Sequence, residues 1–423
     1  MRTSIYAYSR LLVAILAMIT GIGASAQYNI IYDKNIATLQ VSAGYDMMNM
    51  PVVRLGSHSI KDRIIISFDD FTHQYNRYTY KIEHCEADWS VSEQLFESDY
   101  IEGFYDGNTI DDLAESLGTY AQYTNYKLTI PNERCSIKMS GNYRLTVYDE
   151  NDNNRKVLEA CFMVVEPLTR VAMSVSSNTD IDINKRHQQV SIGLDYGVLN
   201  VTDPSGQIKT TVLQNGCWAT AVRNAKAQIN TGSGLKWEHC RQLIFPAGNE
   251  YHKYEILDVS HPTMGIERID WDGTTYQVYP FINEPRPNYL YDEDADGAFY
   301  IRNSDNIDND IACEYVTVNY TLKCPQPVNG DVYINGRWTY DRALPEYKMT
   351  YDPIERCYRA SIRQKQGYYS YRYVMIDATG RWLTMPTEGD YWPTENRYQA
   401  LIYYKGIGDR ADKLVGYGVV MSN

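Results

Sequence analysis

Short stretches in which apolar and polar residues alternate recur along the chain, and this alternation limits the fold more than any other feature. Residues 64–68, 78–83, 143–147 and 316–322 all show it. A period of two places every second side chain on the same face of a β-strand. Turn-forming residues separate the stretches, and no segment shows the 3.6-residue period of an amphipathic helix. The pattern predicts an all-β protein, with a turn at Asp69-Asp70 directly after the strand at 64–68.

With 423 residues, the chain is too long for one sandwich, so we expect several domains. Strands of this length separated by turns are typical of tandem immunoglobulin-like β-sandwiches. A boundary is predicted at Glu166-Pro167-Leu168. The predicted domains are an N-terminal sandwich at 27–167, a middle all-β domain at 168–290 and a C-terminal sandwich at 291–423. In the last domain, a strand, an Asn-Gly turn, a loop with Trp338 and two further strands are similar to early-set immunoglobulin-like modules that bind glycans.

Residues 1–26 have the pattern of a cleaved secretory signal peptide. Arg2 and Arg10 precede or flank an apolar run at 11–22, and Ala24-Ser25-Ala26 is a small-residue cleavage site. The apolar run is too short to span a membrane, and no other stretch reaches that length. No cysteine stands at the cleavage site, so no lipid anchor is predicted. The mature protein, starting at Gln27, is expected to be exported.

The formal charge of −13 becomes more negative once the two signal-peptide arginines are removed. This balance argues against binding to nucleic acid or to anionic lipid, since both need a basic surface. The 39 tyrosines against 8 phenylalanines favour strands with partly wet faces, and they leave open whether tyrosines line a binding surface.

The eight cysteines fit no compact disulfide framework and no CxxC motif. Cysteines within apolar strands, such as Cys161, are expected to be buried free thiols. Bridges between Cys85 and Cys135, or between Cys313 and Cys324, stay open as alternatives.

Two stretches suggest chemistry and are better explained structurally. Asp292, Asp294 and Asp296 have the spacing of a calcium loop, but its twelfth position holds Asn303 in place of glutamate. We therefore expect a solvated turn there. His84 and Cys85 are adjacent on a strand, so their side chains point to opposite faces and cannot form a nucleophile pair. No catalytic site, metal site or cofactor is predicted.

Several aromatic residues are candidates for contact with a partner. Tyr333, Trp338 and Trp392 lie in or beside loops of the last domain. Packing within the core is the alternative explanation for them.

One series of motifs resembles a known family. The series spans about residues 28–166 and consists of His84-Cys85, Asp88-Trp89, Gly103-Phe104, Tyr123 and Tyr126, Pro131-Asn132, and Ser140-Gly141-Asn142-Tyr143. It is similar to the N-terminal domain of the Plug family of the type IX secretion system of Bacteroidota. Residues 292–301 and 314–322 fit the same family.

The resemblance implies a non-enzymatic periplasmic protein associated with the outer membrane. Its partner would be the giant outer-membrane translocon barrel (the SprA or Sov protein), whose periplasmic face it would plug to prevent leakage when no substrate is passing. The likeness of the last domain to glycan-binding modules leaves an alternative, a periplasmic or surface carbohydrate-binding protein of a glycan-use system.

Overall fold

A computed structural model describes residues 28–422, and these residues fold mainly into β-strands. The predicted signal peptide lies outside the described residues. The first part of the chain contains β1 (Ile30–Ile31), β2 (Ile36–Ala43), β3 (Val52–Arg54), β4 (Ile64–Asp70), β5 (Tyr78–Cys85), β6 (Ile101–Gly103), β7 (Asn108–Thr109), β8 (Asp112–Glu115), β9 (Thr124–Ile130), β10 (Cys135–Ile137), β11 (Gly141–Asp149) and β12 (Arg155–Val165).

The strands then continue to the end of the chain. They are β13 (Arg170–Ser176), β14 (His187–Asp195), β15 (Ile208–Gln214), β16 (Val222–Arg223), β17 (Ile229–Asn230), β18 (Gly234–Trp237), β19 (Ile244–Pro246), β20 (His252–Glu255), β21 (Ile266–Trp271), β22 (Tyr276–Pro280), β23 (Phe299–Ile301), β24 (Tyr315–Lys323), β25 (Asp331–Asn335), β26 (Thr350–Asp352), β27 (Cys357–Lys365), β28 (Gly367–Ile376), β29 (Trp382–Thr384), β30 (Arg397–Tyr404) and β31 (Lys413–Met421).

The helices are short. They are α1 (Glu97–Tyr100), α2 (Pro204–Gln207) and α3 (Asn309–Ala312), with 3-10 turns at Ile60–Asp62, Glu150–Asp152, Arg241–Leu243, Arg337–Thr339 and Pro345–Tyr347. Within residues 28–422, no helix is long and apolar enough to cross a membrane.

The first sandwich is built from β1 to β12. One sheet has the order β1-β12-β11-β5-β7, with β3 beside β12, and the other has the order β2-β4-β9-β8. The alternating apolar residues of β4, β5 and β11 meet between the two sheets and form the core. The strands predicted at 64–68, 78–83 and 143–147 therefore correspond to β4, β5 and β11.

The second sandwich combines two distant parts of the chain. One sheet has the order β13-β14-β18-β17, with β19 beside β14. The other has the order β16-β15-β30-β31, so its last two strands come from the end of the chain. Val190 and Trp237 share a core with Ile402 and Val415.

The third sandwich is inserted between β19 and β30. One sheet has β28 at its centre, with β20, β23, β25 and β29 paired to it, and the other has the order β21-β22-β24-β27-β26. Its core contains Tyr254, Tyr320 and Tyr371. The predicted all-β fold of tandem sandwiches is confirmed.

In the second half of the chain, the sandwiches do not begin and end at the predicted domain boundaries. Strands β20 to β22 lie before the predicted boundary at 290 but belong to the third sandwich. Strands β30 and β31 lie after it but belong to the second, because β15 pairs with β30 from Ile208–Tyr404 to Gln214–Tyr398. Local sequence patterns show where strands are but contain no information about which distant strand is the partner.

The predicted turn at Asp69-Asp70 is also wrong. They lie inside β4, fully buried, and not in a turn. The third sandwich covers the outer face of β4 at this point, as the contacts of Asp69 described below show.

All eight cysteines are free and buried, which confirms the expectation for strand positions such as Cys161. The two alternative bridges are not formed. Cys85 and Cys135 belong to different core clusters. Cys313 and Cys324 lie at opposite ends of β24, a strand about 30 Å long at the usual rise per residue.

The insertion makes a testable prediction with Ile402, which is fully buried in β30. Ile402→Ala is expected to lower the free energy of unfolding by about 2–5 kcal/mol, because it leaves a cavity in the second sandwich. Hydrogen exchange should show lost protection in β14 and β15 and unchanged protection in β24 and β28. Val419→Ala, at a position 43% exposed on the neighbouring strand, is the control. Loss of protection confined to the third sandwich would contradict the topology.

Candidate functional site

His84 is the centre of the first group of motif residues. It lies on β5 and is 1% exposed. Its Nδ1 is 2.8 Å from the Ser92 hydroxyl oxygen, and its Nε2 is 3.2 Å from the Ser140 carbonyl oxygen. The ring packs edge-on against Tyr143 at 5.2 Å. A Cβ on Gly141 would lie 2.1 Å from Nε2, so only glycine leaves room for the imidazole.

Burial determines the protonation of this pair of neighbours. It lowers the pKa of His84 to about 4 and raises the pKa of Cys85 to about 12, because an apolar environment disfavours both charged forms. The His84 ring faces the core of the first sandwich, and Cys85 faces the opposite way. The two side chains are structural and do not form a nucleophile with its base.

The second group of motif residues lies where the first and second sandwiches meet. Cys85 and Trp89 pack in one apolar cluster with Trp218, Leu401 and Tyr403 of the second sandwich. The Trp89 and Trp218 rings are 5.5 Å apart and nearly perpendicular. This cluster, which we call the apolar seam, buries the outer face of β12. The burial of large aromatic side chains stabilises the contact between the two sandwiches.

Hydrogen bonds complete this junction. The Asn142 amide donates to the Glu86 carbonyl at 2.9 Å, and the Tyr403 hydroxyl donates to Asn142 Oδ1 at 2.9 Å. The Ala87 N–H donates to Asp412 Oδ2 at 2.9 Å. Asn142 therefore satisfies groups on both sandwiches, which explains an amide at this position.

The remaining motif residues have local roles or lie on the surface. Asn132 Oδ1 accepts from the N–H groups of Arg134 and Cys135, at 2.9 and 3.1 Å, and fixes the turn after Pro131. Gly103 has a positive φ of 93°, and Tyr126 is buried. Asp88 and Phe104 lie on the surface, where Phe104 is 70% exposed.

A buried ion pair joins the first and third sandwiches. Asp69 on β4 and Lys365 on β27 are 2.7 Å apart, with side chains 0% and 1% exposed. Asp69 also accepts from the Tyr315 hydroxyl at 2.6 Å and from the Asn125 amide at 2.7 Å. Burial raises the pKa of Asp69, and the hydrogen bonds from Lys365 and Tyr315 oppose that rise. The motif residue Tyr123 donates to the Cys313 carbonyl at 2.8 Å beside this pair.

The second and third sandwiches meet around polar side chains. The Trp218 N–H of the second sandwich donates to Asp341 Oδ2 of the third at 2.9 Å. Arg397 on β30 pairs with Asp296, which precedes β23, at 3.2 Å. Each sandwich is therefore held by direct contacts to both others.

The calcium candidates are not brought together as ligands of one ion. Asp292 pairs with Lys253 at 2.5 Å, and Asp296 pairs with Arg397 at 3.2 Å. Asp294 accepts the Asp296 N–H at 2.6 Å, and burial raises its pKa to about 7. No group of three metal-ligating side chains occurs in the part of the chain that the structure describes. Protein donors occupy these carboxylates, and Asp296 is part of the contact between sandwiches.

The aromatic candidates separate into core and surface. Tyr333 and Trp338 are 9% and 6% exposed and belong to the core of the third sandwich, where Trp338 packs edge-on against Tyr369. Both are too buried for partner contact. Trp392 is 37% exposed and stays a candidate.

Sequence patterns did not indicate Asp69, Lys365 or Asp412. Each is a charged residue whose burial depends on another sandwich. An isolated charged residue does not indicate a distant partner in the sequence. The position of Asp69 directly after an apolar strand run was a weak signal that its side chain is buried.

The fold and the junctions define a class: an all-β protein of three joined sandwiches whose motif residues mainly stabilise packing within and between them. Residues 36–166 match the family model of the type 9 secretion system plug protein 1st domain. The chain belongs to the type 9 secretion system plug protein family, as its motifs indicated.

The comparison with solved structures extends over the whole molecule. A crystal structure of a hypothetical protein from Parabacteroides merdae ATCC 43184 is 37% identical, with a TM-score of 0.89, and the match covers 93% of this chain and 99% of that chain. Collagen adhesin (CNA) from S. aureus aligns over 94% and 93% at 8% identity with a TM-score of 0.12, which supports no argument. No curated protein matches the chain.

The pKa of His84 predicts a pH dependence of stability. In the fold the imidazole stays neutral down to about pH 4, whereas in the unfolded chain it binds a proton near 6.5. Its contribution is therefore fully present above pH 6.5 and is lost as the pH falls toward 4. His84→Gln should reduce the loss of unfolding free energy between pH 7 and pH 5 by about 2 kcal/mol, measured by urea denaturation. The exposed His58→Gln is the control, and equal slopes for both variants would contradict the prediction.

The ion pair predicts a large cost for removing one partner. Lys365→Met should lower the free energy of unfolding by about 3–5 kcal/mol, because it leaves the Asp69 carboxylate buried and unpaired. The double variant Asp69→Asn, Lys365→Met should recover a large part of that loss.

Urea denaturation measures both variants. Lys348→Met removes an exposed pair with Asp331, with side chains 44% and 56% exposed, and is the matched control, expected to change stability far less than Lys365→Met. A Lys365→Met cost no larger than the Lys348→Met cost would show that the pair does not stabilise the junction.

Proposed function

We propose that the chain is a periplasmic plug subunit of the type IX secretion system. It binds the periplasmic face of the outer-membrane translocon barrel (SprA or Sov) and closes the pore when no substrate is passing. The match of the first sandwich to the plug family is the observation that supports this proposal most directly. That family is a family of secretion components and not of enzymes, which supports a role without catalysis.

The three junctions also support this role. A wide barrel encloses a water-filled channel, so a plug must resist deformation when it seals the opening. The apolar seam, the Asp69–Lys365 pair and the contacts of Trp218 and Arg397 connect the sandwiches pairwise. A body with three mutual contacts cannot bend at one linker in the way that a string of domains can.

The alternative of a carbohydrate-binding protein loses part of its support. Two of the three aromatic candidates for partner contact, Tyr333 and Trp338, are buried in the core and cannot stack on a sugar. A sugar-binding platform needs exposed rings, and of the three only Trp392 provides one.

Deletion of the gene tests the proposal. We expect the outer membrane to become permeable to vancomycin, which is normally excluded, because the open barrel leaks. We also expect a tagged copy of the chain to copurify with the translocon barrel from solubilised outer membranes.

Re-expression of the wild-type chain in the deletion strain is the control and should restore the barrier. Normal permeability together with normal export of type IX cargo, and no barrel in the tagged sample, would refute the proposal.

A further inference from the structure

A groove follows the junction between the first and third sandwiches, above the buried Asp69–Lys365 pair. Its volume is about 470 Å³, and β2 and Phe71 form one wall while β27 and the segment 338–347 form the other. Four cationic residues line it: Lys365, which is paired with Asp69, and Lys34, Arg342 and Arg363. We call it the junction groove.

The last three of these cations have no anionic partner in the described residues. Neither Lys34, Arg342 nor Arg363 forms an ion pair or a side-chain hydrogen bond within residues 28–422, and their charges are therefore available to a ligand. Two acids line the groove, and one of them, Asp33, is paired with Arg155 at 2.7 Å. Glu346 is the remaining acid on the rim. The groove thus carries unpaired positive charge in a chain whose formal charge is −13.

Arg363 is held in position to bind an anion. Its guanidinium lies 3.7 Å from the centroid of the Phe71 ring and 5.2 Å from that of Tyr315. Stacking on aromatic faces fixes the guanidinium plane without using its N–H donors. A carboxylate can accept two of those donors in parallel.

An aromatic shelf begins on the other side of Arg363. A pocket of about 320 Å³ is lined by Arg363 together with Tyr120, Trp271 and Tyr276. The Tyr120 and Trp271 rings are 4.8 Å apart, and they are 70% and 44% exposed. The buried Glu314 accepts the N–H groups of Tyr120 and Ala121, so the shelf is fixed by hydrogen bonds.

The wall of the groove contains a strained residue. Thr38 has a left-handed φ of 50° at the bulge between Ala37 and Gln40. Its hydroxyl is 2.5 Å from the Tyr315 hydroxyl, which holds it in place. A β-branched residue rarely adopts this conformation, and such strain is concentrated at functional sites.

We propose that the junction groove and the aromatic shelf bind one extended, acidic polypeptide segment of another protein. Its carboxylates pair with Lys34, Arg342 and Arg363, and its aromatic or apolar side chains pack on Tyr120 and Trp271. Two pockets that meet at Arg363 suit an extended chain. A long polyanion such as nucleic acid would meet the negative charge of the surrounding surface. This inference does not depend on the plug role.

A fluorescein-labelled ten-residue peptide of alternating Glu and Tyr is the probe, and anisotropy with the full mature chain at low salt is the measurement. We expect saturable binding that weakens with added salt. Arg363→Glu should weaken binding by at least about tenfold, because it replaces an attraction with a repulsion. Arg342→Glu should also weaken it, and Trp271→Ala should do so without changing the salt dependence.

Arg359→Glu is the matched control, because Arg359 lies four residues before Arg363 on β27 and is paired with Asp352 outside the groove. It should bind like the wild type. Circular dichroism of each variant verifies the fold, and Arg342→Glu decides the question if Arg363→Glu does not fold. Equal binding of the peptide with Gln for Glu, wild-type affinity of both Arg363→Glu and Arg342→Glu, or equally tight binding of a ten-nucleotide oligo-dT would overturn the proposal.

Discussion

Two charged side chains with almost no access to water, Asp69 and Lys365, determine how the sandwiches are arranged. Removing ions from water costs free energy. The buried pair is therefore stable only where the two opposite charges are in contact and hydrogen-bond donors satisfy the remaining lone pairs of the carboxylate. The Tyr315 and Asn125 side chains provide those donors from the third and first sandwiches. Few relative positions of the two sandwiches satisfy all of these groups, and the pair therefore specifies their orientation as well as their contact.

The motif residues of the family act mostly inside the molecule. His84 and Gly141 fit each other within the first sandwich, and Trp89 and Asn142 contact the second. Surfaces that meet a partner can change when the partner changes, whereas a buried contact between sandwiches tolerates few substitutions. The family motif residues thus mark how the sandwiches pack. The residues that line the junction groove, between the first and third sandwiches, are not part of this motif series.

Local patterns predicted the strands well, because alternation reflects the two faces of a single strand. The predicted strand at 78–83 is β5, and the one at 143–147 is β11. The pairing of β15 with β30 and the burial of Asp69 were not predicted, and for Trp338 the sequence left core packing and partner contact open. Each depends on an element distant in the sequence: a returning strand, a covering sandwich, or the Tyr369 ring that packs on the indole. A single sequence gives no signal for these contacts.

The order in which the chain is made adds a consequence to the insertion. A chain emerging from its N-terminus has the complete third sandwich once residue 384 has emerged. At that stage the strand from 208 to 214 still lacks its neighbour, which spans 397–404. The strand at 208–214 therefore keeps an unpaired edge until residues 397–404 have emerged. The inserted unit therefore matures before the one that surrounds it, and residues 397–421 complete the second sandwich last.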